Sequence, residues 1–425
     1  MVRFLPPQAD LDHLKNEAKA LHKAHGRREP EVCPVLRHLR RFRDASDDEI
    51  LSADVPLTEA QFALAMEYGF AGWKELREAV LGLKPGPDFV PEARGDAMVL
   101  PNPVPGVSSG NRFAAAYSMA LSYVGAPADY ETVAGDCGTA FILQADSRNK
   151  PFNTNVKVLD MGWWPLAAWG GFLRLDFLSK VYGVEMRRLP MSFGEYEPDP
   201  AMHYRKYHEA DVMASLRAGR PVVTEADGAY VVFGWDGGSP PLLGQISCQD
   251  AAELTRLERF PYEVVVLGEP GEAMDRRQAD AEALDFAIRL GRDEVDLSRL
   301  PGKSAGRRSY ELWAEQLADP ELCGPNFYHA NVVGHLKQYR GTAAAYLRAM
   351  SERHEPPAKD ALLHAAANFD EVSVKFQGAG TGKPALSTDE GRQQLISLIR
   401  QAMALEAAAQ QCMTDAVEAM QRRTT

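Results

Sequence analysis

Residues 108–125 read SSGNRFAAAYSMALSYVG, a small polar lead-in, a helix-forming run and a terminal glycine. The pattern predicts a tight amphipathic helix that stops at Gly125. A helix N-terminus presents unpaired N–H groups and a partial positive charge, which suits a thiolate, an oxyanion or a bound anion. Here the head offers only Ser109, Asn111 and Arg112. What those residues do there decides both the fold and the function read from this chain.

Around that helix the chain divides. Residues 10–80 read as helices: LDHLKNEAKALHKAHG with Leu11, Leu14, Ala18 and Leu21 on one stripe, then EVCPVLRHLRRF, LTEAQFALAMEYGF and GWKELREAV. An N-terminal helical module is expected over 1–83. Residues 84–107, KPGPDFVPEARGDAMVLPNPVPGV, carry six prolines and no period, so they read as an extended linker. From 108 to 269 helical segments precede four β-rich runs, RPVVTEA, AYVVFGW, PLLGQIS and YEVVVLG, separated by DG, DGG and proline signals. These predict a small antiparallel or mixed sheet in an α+β domain. From 270 to 425 the pattern is helical again and predicts a C-terminal bundle. Its last helix, from about 390, is expected to start at an S-x-x-E capping box of Ser387 and Glu390, with Leu395, Ile399, Ala402, Leu405, Ala409, Met413, Ala416 and Met420 buried.

The 425 residues carry a formal net charge of −12, which repels nucleic acid and anionic lipid over most of the surface. No window approaches the ~18 uninterrupted apolar residues of a membrane span, and the start MVRFLPPQADLDHLK lacks a signal-peptide run. Five cysteines, odd in number and without a C-x-x-C pair, read as reduced thiols. A cytoplasmic protein without cofactor or metal site is expected. His22 with His25, and His329 with His335, lack a completing set of ligands.

Two resemblances sharpen this reading. The segments LDHLKNEAKALHKAH and LTEAQFALAMEYGFAGWKEL resemble the short helical module that precedes ankyrin repeats in many bacterial proteins, on Leu14, Lys15, Ala18, Lys19, Ala60, Gln61, Tyr68, Gly69, Phe70, Trp73 and Leu76. No 33-residue ankyrin period follows. The central segment resembles the papain-like fold of the butirosin-biosynthesis H protein N-terminal family, related to bacteriocin-processing cysteine peptidases. The likeness rests on GNRFAAAYSMALSYVG, GDCGTAF, LRAGRPVVTEADGAYVVFGWDGG and YEVVVLG, in that order, with RSYELWAEQL after them.

That resemblance implies a cysteine opening the helix and a histidine on the strand before the G-Y-D position. The first falls here at Asn111 or Arg112, the second at Gly228 or its neighbours Asp227 and Ala229. No cysteine lies between Cys33 and Cys137 and no histidine between His208 and His329, so the dyad is missing at the expected place. The reading is therefore a catalytically inactive papain-like domain that binds a peptide or small molecule in its cleft. Candidate contacts are Asn111, Arg112, Cys137, Trp163, Trp164 and Tyr230. Cys137, flanked by glycines that would let a ligand approach, is the one candidate nucleophile for the alternative reading, an acyltransferase or amide-forming enzyme, which would need His203 or His208 beside it. Those two histidines otherwise read as part of a surface loop or helix. Trp163, Trp164 and Trp169 fall within seven residues and could wall a ligand site. A third reading is a scaffold whose helical ends recruit proteins. RHLRRFR (37–43), a basic helical patch that could grip an acidic partner but is followed at once by acidic DASDDE, reads instead as a solvated helix face. GAGTGKP (378–384) fails the phosphate-loop pattern because Pro384 stands where Ser or Thr is required.

Overall fold

A computed structural model describes residues 11–43, 45–68, 72–80, 92–94, 97–101, 111–126, 128–143, 145–146, 174–190, 200–226, 228–247, 254–261, 263–295, 303–320, 323, 326–379 and 386–422. The fold is α+β. The first helices are α1 Leu11–Gly26, α2 Cys33–Leu36, α3 Asp47–Ser52, α4 Leu57–Glu67 and α5 Trp73–Val80. They bury Leu14, Ala18, Leu36, Ile50, Leu64 and Leu76 in two clusters of their own. The helix expected over 31–42 is instead the single turn α2 followed by a 3-10 turn at Arg40–Phe42. Two arginines of the basic patch are matched locally, Arg37 with Asp47 and Arg41 with Glu59.

One eight-stranded, wholly antiparallel sheet follows. Its strands and flanking helices run, in chain order, β1 Glu92–Arg94, β2 Ala97–Val99, α6 Arg112–Tyr123, α7 Tyr130–Asp136, β3 Ala145–Asp146, α8 Leu175–Tyr182, β4 Val184–Arg188, α9 Pro200–Tyr207, α10 Glu209–Arg217, β5 Val222–Glu225, β6 Ala229–Trp235, β7 Leu242–Ile246, β8 Thr255–Arg256 and β9 Glu263–Pro270. β3 lies outside this sheet and pairs instead with β10, Lys303–Ser304. The four expected β-rich runs are β5, β6, β7 and β9. β6 is the hub, pairing with β5, β7 and, at Gly234 and Trp235, with β2. The stretch read as a linker thus supplies two strands, β1 and β2, that extend the sheet.

Consecutive residues of β5 and β6 are buried, so both strand faces are covered. α6 supplies part of that cover, and every residue from Phe113 to Leu121 is buried. It is therefore buried all round rather than amphipathic, with Ala114, Ala115 and Ala116 admitting close neighbours. Gly125, at φ 83°, ends it in the left-handed conformation that glycine adopts without strain.

The remaining helices are α11 Arg276–Gly291, α12 Arg307–Ala318, α13 Asn326–Ser351, α14 Ala358–Gln377 and α15 Asp389–Gln421. α15 is capped by Thr388, whose hydroxyl accepts from Gly391 N at 3.1 Å, rather than by the expected Ser387 box. Its buried stripe matches the expected one except at Leu405, which is half-buried, while Glu406 faces inward. One hydrophobic core runs from Met98 through the sheet to Met420, joining α11, α13, α14 and α15 to the α+β region across residue 269. Two charged networks cross the same boundary. Asp136, wholly buried, accepts from both Nη atoms of Arg276 (2.7 and 2.6 Å) and from the hydroxyls of Tyr182 and Tyr346. Arg340 binds Glu406 and donates to the carbonyls of Ala140 and Ile142. Among the described residues no helix is long and apolar enough to cross a membrane.

Candidate functional site

The head of α6 is tied from every side. Asn111 is its N-cap: Oδ1 accepts from Phe113 N and Ala114 N at 3.0 and 3.1 Å, the ordinary role of asparagine at this position. Its own N–H donates to the Tyr130 hydroxyl at 2.8 Å, and its Nδ2 to the Tyr339 hydroxyl at 3.4 Å. Two N–H groups that could have stabilised an oxyanion are already bonded to Asn111. The Arg112 carbonyl accepts from Ser247 Oγ at 2.6 Å, which fastens the helix to the end of β7.

The Arg112 side chain is exposed and reaches the β5–β6 turn. A side-chain carbon built on Gly228 would stand 3.4 Å from Arg112 Nη1 and 3.6 Å from the Tyr230 ring. Tyr230, almost fully buried, lies opposite Thr224 on β5 and Ile246 on β7. Asn111, Arg112 and Tyr230 are thus brought to one corner of the fold. Two residues of α13 complete it that the sequence did not suggest, Tyr339 and His335, whose rings stack at 5.7 Å. Burial and the Arg112 charge both hold the His335 imidazole below the ordinary histidine range, so it is neutral at pH 7.

Cys137 does not join this corner. It is 1% exposed at the end of α7, with Sγ against Ala134 O (3.6 Å) and Thr139 Oγ1 (3.2 Å). Burial pushes its thiol up to about 11, the opposite of an activated nucleophile. The glycines beside it serve packing rather than ligand approach: a side-chain carbon would lie 2.2 Å from the Tyr346 ring at Gly135 and 2.5 Å from Phe286 at Gly138. His203 and His208 are buried, not on the surface, and both bond the Pro190 carbonyl. Trp163 and Trp164 lie outside the described residues.

The chain does place one thiol beside an imidazole elsewhere. In the C-terminal helices Cys323 Sγ is 3.7 Å from Nε2 of buried His329. Trp313 Nε1, always a donor, gives its proton to His329 Nδ1 at 3.0 Å, so the ring proton sits on Nε2 and is donated to the Cys323 carbonyl. Neither nitrogen can take the thiol proton. Burial raises the Cys323 thiol and lowers the His329 imidazole, which disfavours a thiolate–imidazolium pair. The pair is structural. His22 and His25 are also structural, bonding the carbonyls of Val55 and Ile50. Among the described residues no group of three or more His, Cys, Asp or Glu is arranged to hold a metal ion.

No protein-family model matches the chain, and no curated protein does either.

Proposed function

We propose that this chain is a papain-like recognition protein that binds a peptide or small molecule at the α6 head without forming a covalent bond to it. The observation that carries this reading is the approach of Arg112 to Gly228. The resemblance puts a thiol at Asn111 or Arg112 and an imidazole at Gly228 or its neighbours Asp227 and Ala229. Arg112 and Gly228 lie near each other and supply a guanidinium and no side chain. A guanidinium cannot be an acyl acceptor near neutral pH, but it recognises carboxylates with charge-assisted, bidentate geometry. Tyr230, Tyr339 and neutral His335 add aromatic area and polar edges of the kind that orient a bound group.

Acyl transfer through Cys137 is the weaker reading. A thiol that is buried, lifted to about 11 and bonded to Thr139 is neither reachable nor ionised.

The test is a screen of N-acyl amino acids and short peptides against the full chain, read by thermal shift and by intact mass. Compounds that raise the melting temperature of the wild type are expected to leave Arg112→Ala unmoved, with no mass added to the protein and no compound cleaved. A covalent adduct or a turned-over product that depends on Cys137 would overturn the proposal. So would equal shifts in the wild type and Arg112→Ala.

A further inference from the structure

α9 and the N-cap of α10 bring His203 and His208 together beside Pro190, with ring centroids 4.9 Å apart. Both side chains are buried, at 1% and 0% exposure. Both Nε2 atoms meet one acceptor, the Pro190 carbonyl oxygen, at 3.1 and 2.6 Å. A carbonyl only accepts, so each Nε2 carries its ring proton and each Nδ1 is bare. Among the described residues neither Nδ1 has a hydrogen-bond partner, and the buried hydroxyl of Tyr204 has none either. That ring packs on His208 at 6.1 Å and on Phe260 at 5.5 Å. Buried polar atoms without partners are few in folded proteins, and three in one cluster mark a packing that opening to water would relieve.

One charged group beside the pair favours a proton on His208, and it is already engaged. Asp211 of α10 acts on His208, but its carboxylate is bonded to Arg187 of β4 at 2.6 Å. Glu209 acts on Tyr204. Tyr207 packs its ring on His203 at 4.7 Å, and the Lys206 ammonium lies over that same Tyr207 ring. A protonated imidazole would therefore point a new N–H at no acceptor among the described residues, beside a second ring, 4.9 Å away between centroids, held by the same carbonyl.

We propose that α9 is an acid-sensitive latch: closed while buried His208, packed on His203 beside Pro190, is neutral, and released from the core when a proton binds it. Burial, ahead of the neighbouring His203, holds His208 below the ordinary histidine range, while the Pro190 bond works the other way. The sign follows. Closure is fully favoured above the ordinary histidine value of about 6.5 and weakens as pH falls through it, by up to about tenfold in the opening equilibrium per pH unit for each proton taken up.

Hydrogen exchange on the full chain tests this, with rates corrected for the intrinsic pH dependence of exchange. Between pH 6.5 and 5.5 the segment 200–208 is expected to lose about tenfold of its protection, while α14 keeps its own. The double variant His203→Gln, His208→Gln retains a donor for Pro190 and does not titrate, so its α9 should be insensitive over the same interval. The inference is overturned if wild-type α9 protection is flat with pH, if α14 loses protection equally, or if the double variant follows the wild type. The wild-type measurement decides by itself should the variant fail to fold.

Discussion

Arg340, wholly buried on α13, is bound by Glu406 of α15, whose Oε2 accepts from Nη2 at 3.1 Å while Oε1 accepts from Nε. Burial works against the charge on Arg340, and the Glu406 carboxylate outweighs it and holds the guanidinium ionised. Removing one member of such a pair leaves the other buried and uncompensated, which costs about 3–5 kcal/mol. Glu406→Ala should lose that much in urea unfolding. The exposed Arg27–Glu29 pair, with side chains 67% and 43% accessible, should lose only about 0–1 kcal/mol when broken.

Glu263 on β9 lies opposite Glu225 on β5, with Arg188 Nε 2.9 Å from its carboxylate. Burial raises the Glu263 carboxyl, and Arg188 only partly offsets this. The folded state thus holds the proton more tightly than the unfolded chain. The contribution of Glu263 is most favourable below about pH 4.5, the ordinary glutamate range, and is lost as pH rises. Glu263→Gln should therefore gain on the wild type between pH 4 and 7. Chemical denaturation of both proteins across that range checks the slope, and a gain that shrinks with rising pH would contradict it.

Glycines of opposite kinds predict opposite signs. Gly135 sits under the Tyr346 ring, so Gly135→Ala overpacks the α7–α13 contact and should cost about 1–3 kcal/mol, more than the helix propensity it gains. Gly334, mid-helix on α13, is exposed and has open space beside it. Gly334→Ala should stabilise by about 0.5–1 kcal/mol. Thermal melts of the two variants should move in opposite directions.

How far the sequence was legible follows from these contacts. The strands β5, β6, β7 and β9 announce themselves, because apolar runs between DG, DGG and proline breaks have no better use than pairing. β1 and β2 do not, because flanking prolines resemble a linker and the pairing of Met98 with Trp235 spans most of the domain. At the site, Asn111 and Arg112 follow from the logic of a helix head. Tyr339 could not, since it reaches Asn111 from 228 residues away. The motif GDCGTAF draws attention to its thiol, yet the buried group that organises the region is the carboxylate next to it. Asp136 finds Arg276 from 140 residues away, a distance at which no spacing rule operates.

Native-state thiol labelling gives a further check. At pH 8 a thiol with a value of about 11 is ionised to roughly one part in a thousand, and Cys137 is also shielded. Cys137 and Cys323 should both resist alkylation until denaturant is added, as read by peptide mapping. Trp313→Phe removes the Nε1–H that His329 Nδ1 accepts and should cost about 1–3 kcal/mol without making Cys323 reactive.

The core that continues past residue 269 has an evolutionary corollary. A recombination event that kept the sheet and exchanged the tail would orphan Asp136, strip the carbonyls of Ala140 and Ile142 of Arg340, and uncover the side of α7 that packs on α11 and α13. Sheet and tail should therefore be exchanged only as one unit. Substitutions at Asp136 should be compensated at Arg276 and Tyr346 in any lineage that tolerates them.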